Sequence, residues 1–347
     1  MIIKEIKNSI ITLPFRFSYG HKQKTHKEVF ANICQMTDEG DNTGLGESVP
    51  RTYVTGETAE TVLADTRKLG GGLLGKSFSS YAEVQAYMET LSKEWPPPFP
   101  SCAFSAVDIA LHDTVARSLG KDMATYFGTK PVKTQYTGSI GISNKANLLT
   151  LITLYRIGGI REFKLKVGDE ADLDRLATIK SVLGSETRVF ADANGAWTPT
   201  EAPGKITALA EAGIWAIEEP LKIPIPKAPG EDKQIDREGA MNDLHFERYA
   251  RLRKEIPIPV ILDESLISPR SFSKILKHDA ADILNIRLSK LGGFSLVPKM
   301  LTEKPAHMKF SMCAMVGESP ILAAAGYFFG CAHPERLYTQ GYSHRIL

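Results

Sequence analysis

From about residue 134 onward, short apolar runs return at a nearly constant interval: residues 137–142, 162–167, 188–194, 215–220, 259–265, 282–288, 309–315 and 336–342. Successive starts lie 23–27 residues apart, except for one step of 44 between residues 215 and 259. Helix-like stretches such as residues 169–184 and 199–213 fill the intervals, so each interval reads as one β/α unit. Eight strands with helices between them predict an α/β fold, a TIM-type (β/α)7β barrel. Its parallel strands run apolar because both faces are buried. The long step holds residues 221–243, rich in Pro, Gly and charge. This insertion follows a strand, which makes it a βα loop on the face where barrels keep their chemistry, and a lid or rim segment is expected there, the alternative being an inert surface insertion.

The first third has another rhythm. Strand-like runs over residues 1–13 and 29–37 precede a turn at 38–44, and helices are expected near 57–69, 79–93 and 105–120. The chain therefore divides into an α+β domain over residues 1–130 and a barrel over residues 131–347. Net charge is +2, from 42 basic and 40 acidic residues, giving no electrostatic case for nucleic acid or an anionic membrane. No apolar run reaches the roughly 18 residues of a membrane span. Lys4, Glu5 and Lys7 interrupt the N-terminal run, which does not read as a signal peptide. Four scattered cysteines (Cys34, Cys102, Cys313, Cys331) predict neither a disulfide framework nor a zinc knot. A cytoplasmic, homo-oligomeric enzyme is expected.

The ionisable residues at the strand ends narrow the chemistry. Lys164 and Lys166 close the second barrel strand, Asp192 and Asn194 the third, Glu218 and Glu219 the fourth, and Asp263 and Glu264 the fifth. Lys290 follows the sixth strand and Glu318 the seventh. Their spacing tracks the strand period, so they converge on one rim of the barrel. Burying so many charges is costly unless they are used. Asp192, Glu218 and Asp263 offer hard carboxylate oxygens from three adjacent strands, a donor set that favours Mg²⁺ over zinc. Lys164 and Lys166 point to the same face, and their mutual repulsion would lower their pKa values, suiting Lys166 as a base. Lys290 lies four strands on, across the barrel. Two lysines flanking one carbon beside a divalent cation suit removal of a proton α to a carboxylate.

These motifs, Lys164-Leu165-Lys166, Asp192-Ala193-Asn194, Glu218-Glu219-Pro220, Asp263-Glu264-Ser265, Lys290-Leu291-Gly292-Gly293 and Glu318-Ser319, resemble those of the enolase superfamily, muconate-lactonizing-enzyme subgroup. Residues 37–58 resemble that family's N-terminal capping domain and residues 103–128 the helix before its barrel. The resemblance implies Asp192, Glu218 and Asp263 as Mg²⁺ ligands and Lys166 and Lys290 as an acid/base pair. It assigns supporting roles to Lys164, Asn194 and Glu264. The substrate would be a small carboxylate, and the reaction racemisation, epimerisation or cycloisomerisation; the alternative is a lyase of the same superfamily.

For substrate contacts, similar dipeptide epimerases carry Asp-x-Asp at the eighth strand. Tyr338 and Gln340 correspond here, and both are neutral, which disfavours a dipeptide ammonium. Glu318 and His21 are further candidate contacts. His21 lies in a loop with Arg16, Lys22, Lys24 and His26 that matches the family's closing loop. The chain ends at Leu347, where the family commonly continues with a tail returning to the capping domain; either the tail is short or the sequence is incomplete.

One motif points elsewhere. Residues 70–77 match the P-loop spacing, a rival reading as a nucleotide-binding protein, but the preceding residues read as helix rather than strand. His112 is expected as a core histidine and Cys313 as a small buried hydrophobe.

Overall fold

The computed structural model describes residues 1–21, 24–134, 136–142, 145–224 and 234–340. It opens with three antiparallel strands in the order β1 (Ile3–His21), β2 (Lys24–Asp38) and β3 (Thr43–Ser48). The turn between β2 and β3 closes on Asp38, whose Oδ1 accepts the N–H groups of Gly40 and Asn42 at 2.9 and 2.8 Å. Helices α1 (Ala59–Gly71), α2 (Tyr81–Glu94), α3 (Ser101–Ser118) and α4 (Met123–Tyr126) follow. Thr58 and Thr61 form a capping box that starts α1. Helix α3 is buried almost all round, because it packs between β3 and the barrel. A Cβ at Gly46 would lie 2.0 Å from the Ala106 carbonyl oxygen, so only glycine lets β3 approach so closely.

Residues 70–77 span the end of α1, a turn, and an isolated bridge from Ser77 to Ile2. No strand precedes the glycines, so the strand–loop–helix cradle of a P-loop does not form, and the nucleotide-binding alternative is set aside.

The barrel closes in the order β10-β11-β4-β5-β6-β7-β8-β9. Its strands are β4 (Tyr136–Ile140), β5 (Glu162–Lys166), β6 (Arg188–Asp192), β7 (Ile217–Glu218), β8 (Val260–Leu262), β9 (Ile283–Ile286), β10 (Lys309–Met312) and β11 (Thr339–Gln340). Seven connections carry helices, among them α5 (Lys145–Ile157), α6 (Asp172–Leu183), α7 (Ala202–Glu211), α8 (Arg237–Ala240), α9 (Asp243–Glu255) and α10 (Pro269–His278). The last two connections hold α11 (Leu288–Leu291) with α12 (Leu296–Glu303), and α13 (Pro320–Ala332). The expected (β/α)7β barrel is therefore the observed one.

Residues paired across parallel strands share a face, and this sorts the barrel's two sides. Phe163, Leu165, Val189, Ile217, Val260 and Leu284 belong to the large core under the helices. Phe190, Ala216, Ile261, Ile283, Cys313 and Tyr338 form a separate cluster, with Trp215 against it. That cluster fills the barrel interior below the charged rim, as layered barrel cores do. Among the described residues, no helix is long and apolar enough to cross a membrane.

The first domain sits on the loops at the C-terminal ends of the strands. Arg51 donates to the Val316 carbonyl at 2.8 Å, Val49 N–H to Ser289 Oγ at 3.0 Å, and Ser319 N–H to Glu47 at 2.8 Å. Of the insertion, residues 221–224 and 234–243 are described, and Ile235 N–H bonds the Gly56 carbonyl at 2.8 Å. The later part of the insertion thus lies on the rim, against the first domain.

Candidate active site

Strand register brings three candidate residues into one row: Lys166 pairs with Asp192, and Asp192 with Glu218. Lys164 Nζ lies 2.7 Å from both Asp192 Oδ2 and Glu218 Oε1, and Lys166 Nζ lies 2.6 Å from the same Asp192 oxygen. Lys166 also donates to Asn194 Oδ1. The Asn194 backbone is left-handed at φ +44°, which lets its N–H reach Asp192 Oδ1 at 2.9 Å while its amide donates to Glu264 Oε1 at 3.1 Å. Asn285, on β9, donates to Glu218 Oε1 at 3.1 Å.

Across the barrel, Lys290 Nζ lies 2.5 Å from Asp263 Oδ1 and also donates to the Asp263 carbonyl, while Arg287 pairs with Asp263 Oδ2. Lys166 ends β5 and Lys290 follows β9. These strands are four apart in either direction round the eight-stranded barrel, so the two lysines occupy opposite walls.

The fold separates two adjacent acids. Glu218 faces the barrel interior, whereas Glu219, left-handed at φ +42°, turns away into the wall. There its oxygens accept from Tyr249 OH at 2.9 Å, Asp263 N–H at 2.9 Å, Ser265 N–H at 3.1 Å and Ser265 Oγ. Glu219 is thus a buckle joining the fourth barrel strand to the fifth. His245, on α9, supports it through a 2.8 Å bond to Ser265 Oγ.

Burial, together with Arg237, Arg248 and Lys274, pushes the His245 pKa down to about 3, so the folded chain holds it neutral. The unfolded chain takes up that proton near pH 6.5. Between these values the unfolded state binds more protons, so stability falls as pH drops through the window. From pH 7 to pH 5 the loss traceable to His245 is about 2 kcal/mol, and His245→Asn should lack it. Urea unfolding of both chains at both pH values measures the difference; equal losses would mean that His245 is not held neutral.

The charges tune one another. Burial alone would strip Lys164 of its proton, but Asp192 and Glu218 outweigh it and raise the pKa well above the ordinary lysine value. The depression expected from two neighbouring lysines is therefore reversed at Lys164, because carboxylates stand between the amines. Burial, reinforced by Arg287, pulls Lys290 down to about 7. Burial and the nearby Asp192, Glu219 and Glu218 push Glu264 up to about 7. Glu318 lies to one side, in a cleft with Arg287, Ser289, Cys313 and Met315. It accepts from Met315 N–H at 2.9 Å, and burial raises it to about 8.

Tyr338 is buried inside the barrel. It stands just before β11, whose first residue pairs with the first residue of β4 on one side and with the last residue of β10 on the other. Its ring packs 4.8 Å from Phe190 inside the plug, and it feels the charges of Glu218 and Lys164 above it. The side chains of His21 and Gln340 lie outside the described residues, as do those of Arg16, Lys22, Lys24 and His26.

Sequence reading passed over Arg287 and Asn285. Both are polar, two apart, in an otherwise apolar strand, and that period of two was the signal that they face inward. It also passed over Arg237 in the insertion, a buried arginine packed on Gly56 whose charge faces Glu264 and Glu219.

Whether the site suits a cation can be judged from its oxygens. Glu218 Oε2 and Glu264 Oε2 are buried with no hydrogen-bond partner, and every acid facing the centre offers hard oxygen. That is the chemistry of a small divalent ion. Among the described residues no three such ligands are already gathered at coordinating distance, because lysine and arginine hold Asp192 and Asp263.

The chain is similar to known proteins. Residues 151–227 and 238–345 match the family described as enolase C-terminal domain-like. The chain is 26% identical over 309 residues to the L-Ala-D/L-Glu epimerase of Bacillus subtilis (strain 168), covering 86% of this chain and 77% of that one. It is 28% identical over 310 residues to muconate cycloisomerase 1 of Rhodococcus opacus, covering 87% and 76%. Its fold matches the crystal structure of a dipeptide epimerase from Cytophaga hutchinsonii complexed with Mg and the dipeptide D-Ala-L-Val. The TM-score is 0.84 at 20% identity, covering 100% of this chain and 88% of that one.

Proposed function

The chain belongs to the enolase C-terminal domain-like family, and from that premise we propose that it is a Mg²⁺-dependent isomerase that moves the proton α to a carboxylate. Racemisation or epimerisation is the reaction favoured. The observation that carries this reading is the placement of Lys166 and Lys290 on opposite walls, with carboxylates beside each.

In one direction the neutral amine of Lys290 takes the proton from the α-carbon on its side. The ammonium of Lys166 returns a proton to the opposite face, and the configuration inverts. A buried amine with a pKa of about 7 is partly neutral at physiological pH, which suits Lys290 to that task. Lys164 keeps its proton and lends a fixed positive charge where negative charge develops. Asp192, Glu218 and Asp263 would hold Mg²⁺, with Asn194 and Glu264 supporting the set. Bound there, the cation fixes the substrate carboxylate and offsets the charge left on it when the proton departs. Glu318, raised to about 8, keeps its proton near neutrality and can donate a hydrogen bond within the same cleft.

Relatives that act on dipeptides and on muconates define the substrates to try first. The test is a screen of dipeptides, N-acyl amino acids and muconate-like diacids in D₂O with Mg²⁺. Recovered material with inverted configuration and deuterium at the α-carbon is the expected result. Loss of water from the substrate would assign a lyase instead. Deuterium uptake by none of the three classes would sink the reading.

A further inference from the structure

Lys290 rides on α11, a single turn of helix ended by Gly292 and Gly293, both left-handed at φ +80° and +85°. The two residues that follow are gripped by the first domain rather than by the barrel. Asp108 Oδ2, on α3, accepts the N–H groups of both Phe294 and Ser295, the latter at 3.1 Å. Tyr81 OH, on α2, donates to the Phe294 carbonyl at 3.1 Å. His112 Nε2, one turn along α3 from Asp108, bonds Ser295 Oγ at 2.9 Å.

On the other side of Lys290, the first domain also holds Ser289 through Val49 N–H. The turn is tied back to α11 as well, because Gly293 N–H bonds the Leu288 carbonyl at 3.2 Å. A Cβ at Gly293 would lie 2.4 Å from Asp108 Oδ2, so the turn closes on this carboxylate only through glycine.

Asp108 is fully buried, and a buried carboxylate is an expensive way to hold two N–H groups. Its position explains the expense: the residues it fixes follow directly on the helix that aims Lys290.

We propose that Asp108 is a positioning residue for Lys290: by locking the Phe294–Ser295 turn from the first domain, it sets where the lysine amine stands against the substrate. This rests on the reading of Lys290 as one of two proton carriers. An amine displaced by about 1 Å loses up to roughly a hundredfold in rate. The loss falls on one face of the substrate only, because Lys166 is on the far wall.

The test uses the full chain with Mg²⁺ and the L and D forms of a dipeptide or N-acyl amino acid, following α-proton exchange from each form. In Asp108→Ala, exchange from the form that depends on Lys290 should fall by about tenfold or more, with exchange from the other form nearly unchanged and KM little altered. Asp108→Asn keeps an acceptor oxygen for the two N–H groups and should restore most of the rate. Hydrogen-exchange mass spectrometry should show faster amide exchange over residues 292–296 in Asp108→Ala, with barrel strands still protected. If Asp108→Ala does not fold, Tyr81→Phe removes only the hydroxyl on the Phe294 carbonyl and should give the same one-sided loss in smaller measure.

Equal losses from both forms, no loss from either, or unchanged exchange over residues 292–296 would overturn the positioning role. A wild-type chain that exchanges neither form would instead overturn the isomerase reading, and amide exchange over the turn would then decide the clamp alone.

Discussion

Alanine in place of Lys166 or Lys290 should lower turnover by about 10²–10⁴-fold, the span that a positioned acid or base contributes. The two losses should differ in kind. Each variant should lose α-proton exchange from one configuration of the substrate and keep it from the other, because Lys166 ends one strand and Lys290 follows another four places round the barrel. Mg²⁺ binding should survive in both. In Lys290→Ala, Arg287 still neutralises Asp263, so the acid is not left buried without a partner. In Lys166→Ala, Lys164 still pairs with Asp192. Stereospecific exchange in D₂O, followed by proton NMR, measures each half-reaction. Near-normal exchange of both forms in either variant would remove that lysine from the mechanism.

The second large effect concerns the cation. Glu218→Gln should abolish activity that Mg²⁺ restores to chelator-treated wild-type chain. The change removes one of two charges bracketing Lys164 and a buried oxygen with no other partner. A readout independent of turnover is available, since an ion that binds only the folded chain stabilises it by about 2.7 kcal/mol at a hundredfold excess over Kd. Thermal unfolding of wild type should therefore rise by a few degrees with Mg²⁺, and that of Glu218→Gln should not. An equal rise in both chains would take Glu218 out of the ligand set, and no rise in wild type would argue against the cation itself.

The architecture was legible in the sequence because parallel strands must bury both faces, so each one announces itself as an apolar run, and several of those runs end in charge. The strand ends at Lys166, Asp192 and Glu218 fall where the register pairs them. Local geometry was not legible. The fourth barrel run looks six residues long, yet its strand is only Ile217–Glu218, because Glu219 turns left-handed to reach Ser265 and Tyr249. No spacing rule predicts which of two adjacent glutamates turns inward.

The pKa expectation is reversed at Lys164 for a related reason. Sequence shows two amines two residues apart, but it does not show the carboxylates that the next two strands bring between them. The hold of Asp108 on Phe294 and Ser295 joins residues 186 and 187 positions apart, which periodicity cannot see.

The aromatic plug of Phe190, Trp215 and Tyr338 has a consequence for traffic. The rings fill the floor of the barrel, which leaves the rim as the side of approach to the charged residues, and the small N-terminal domain stands over that rim. An isomerase of the proposed kind would take in reactant and release product past that lintel.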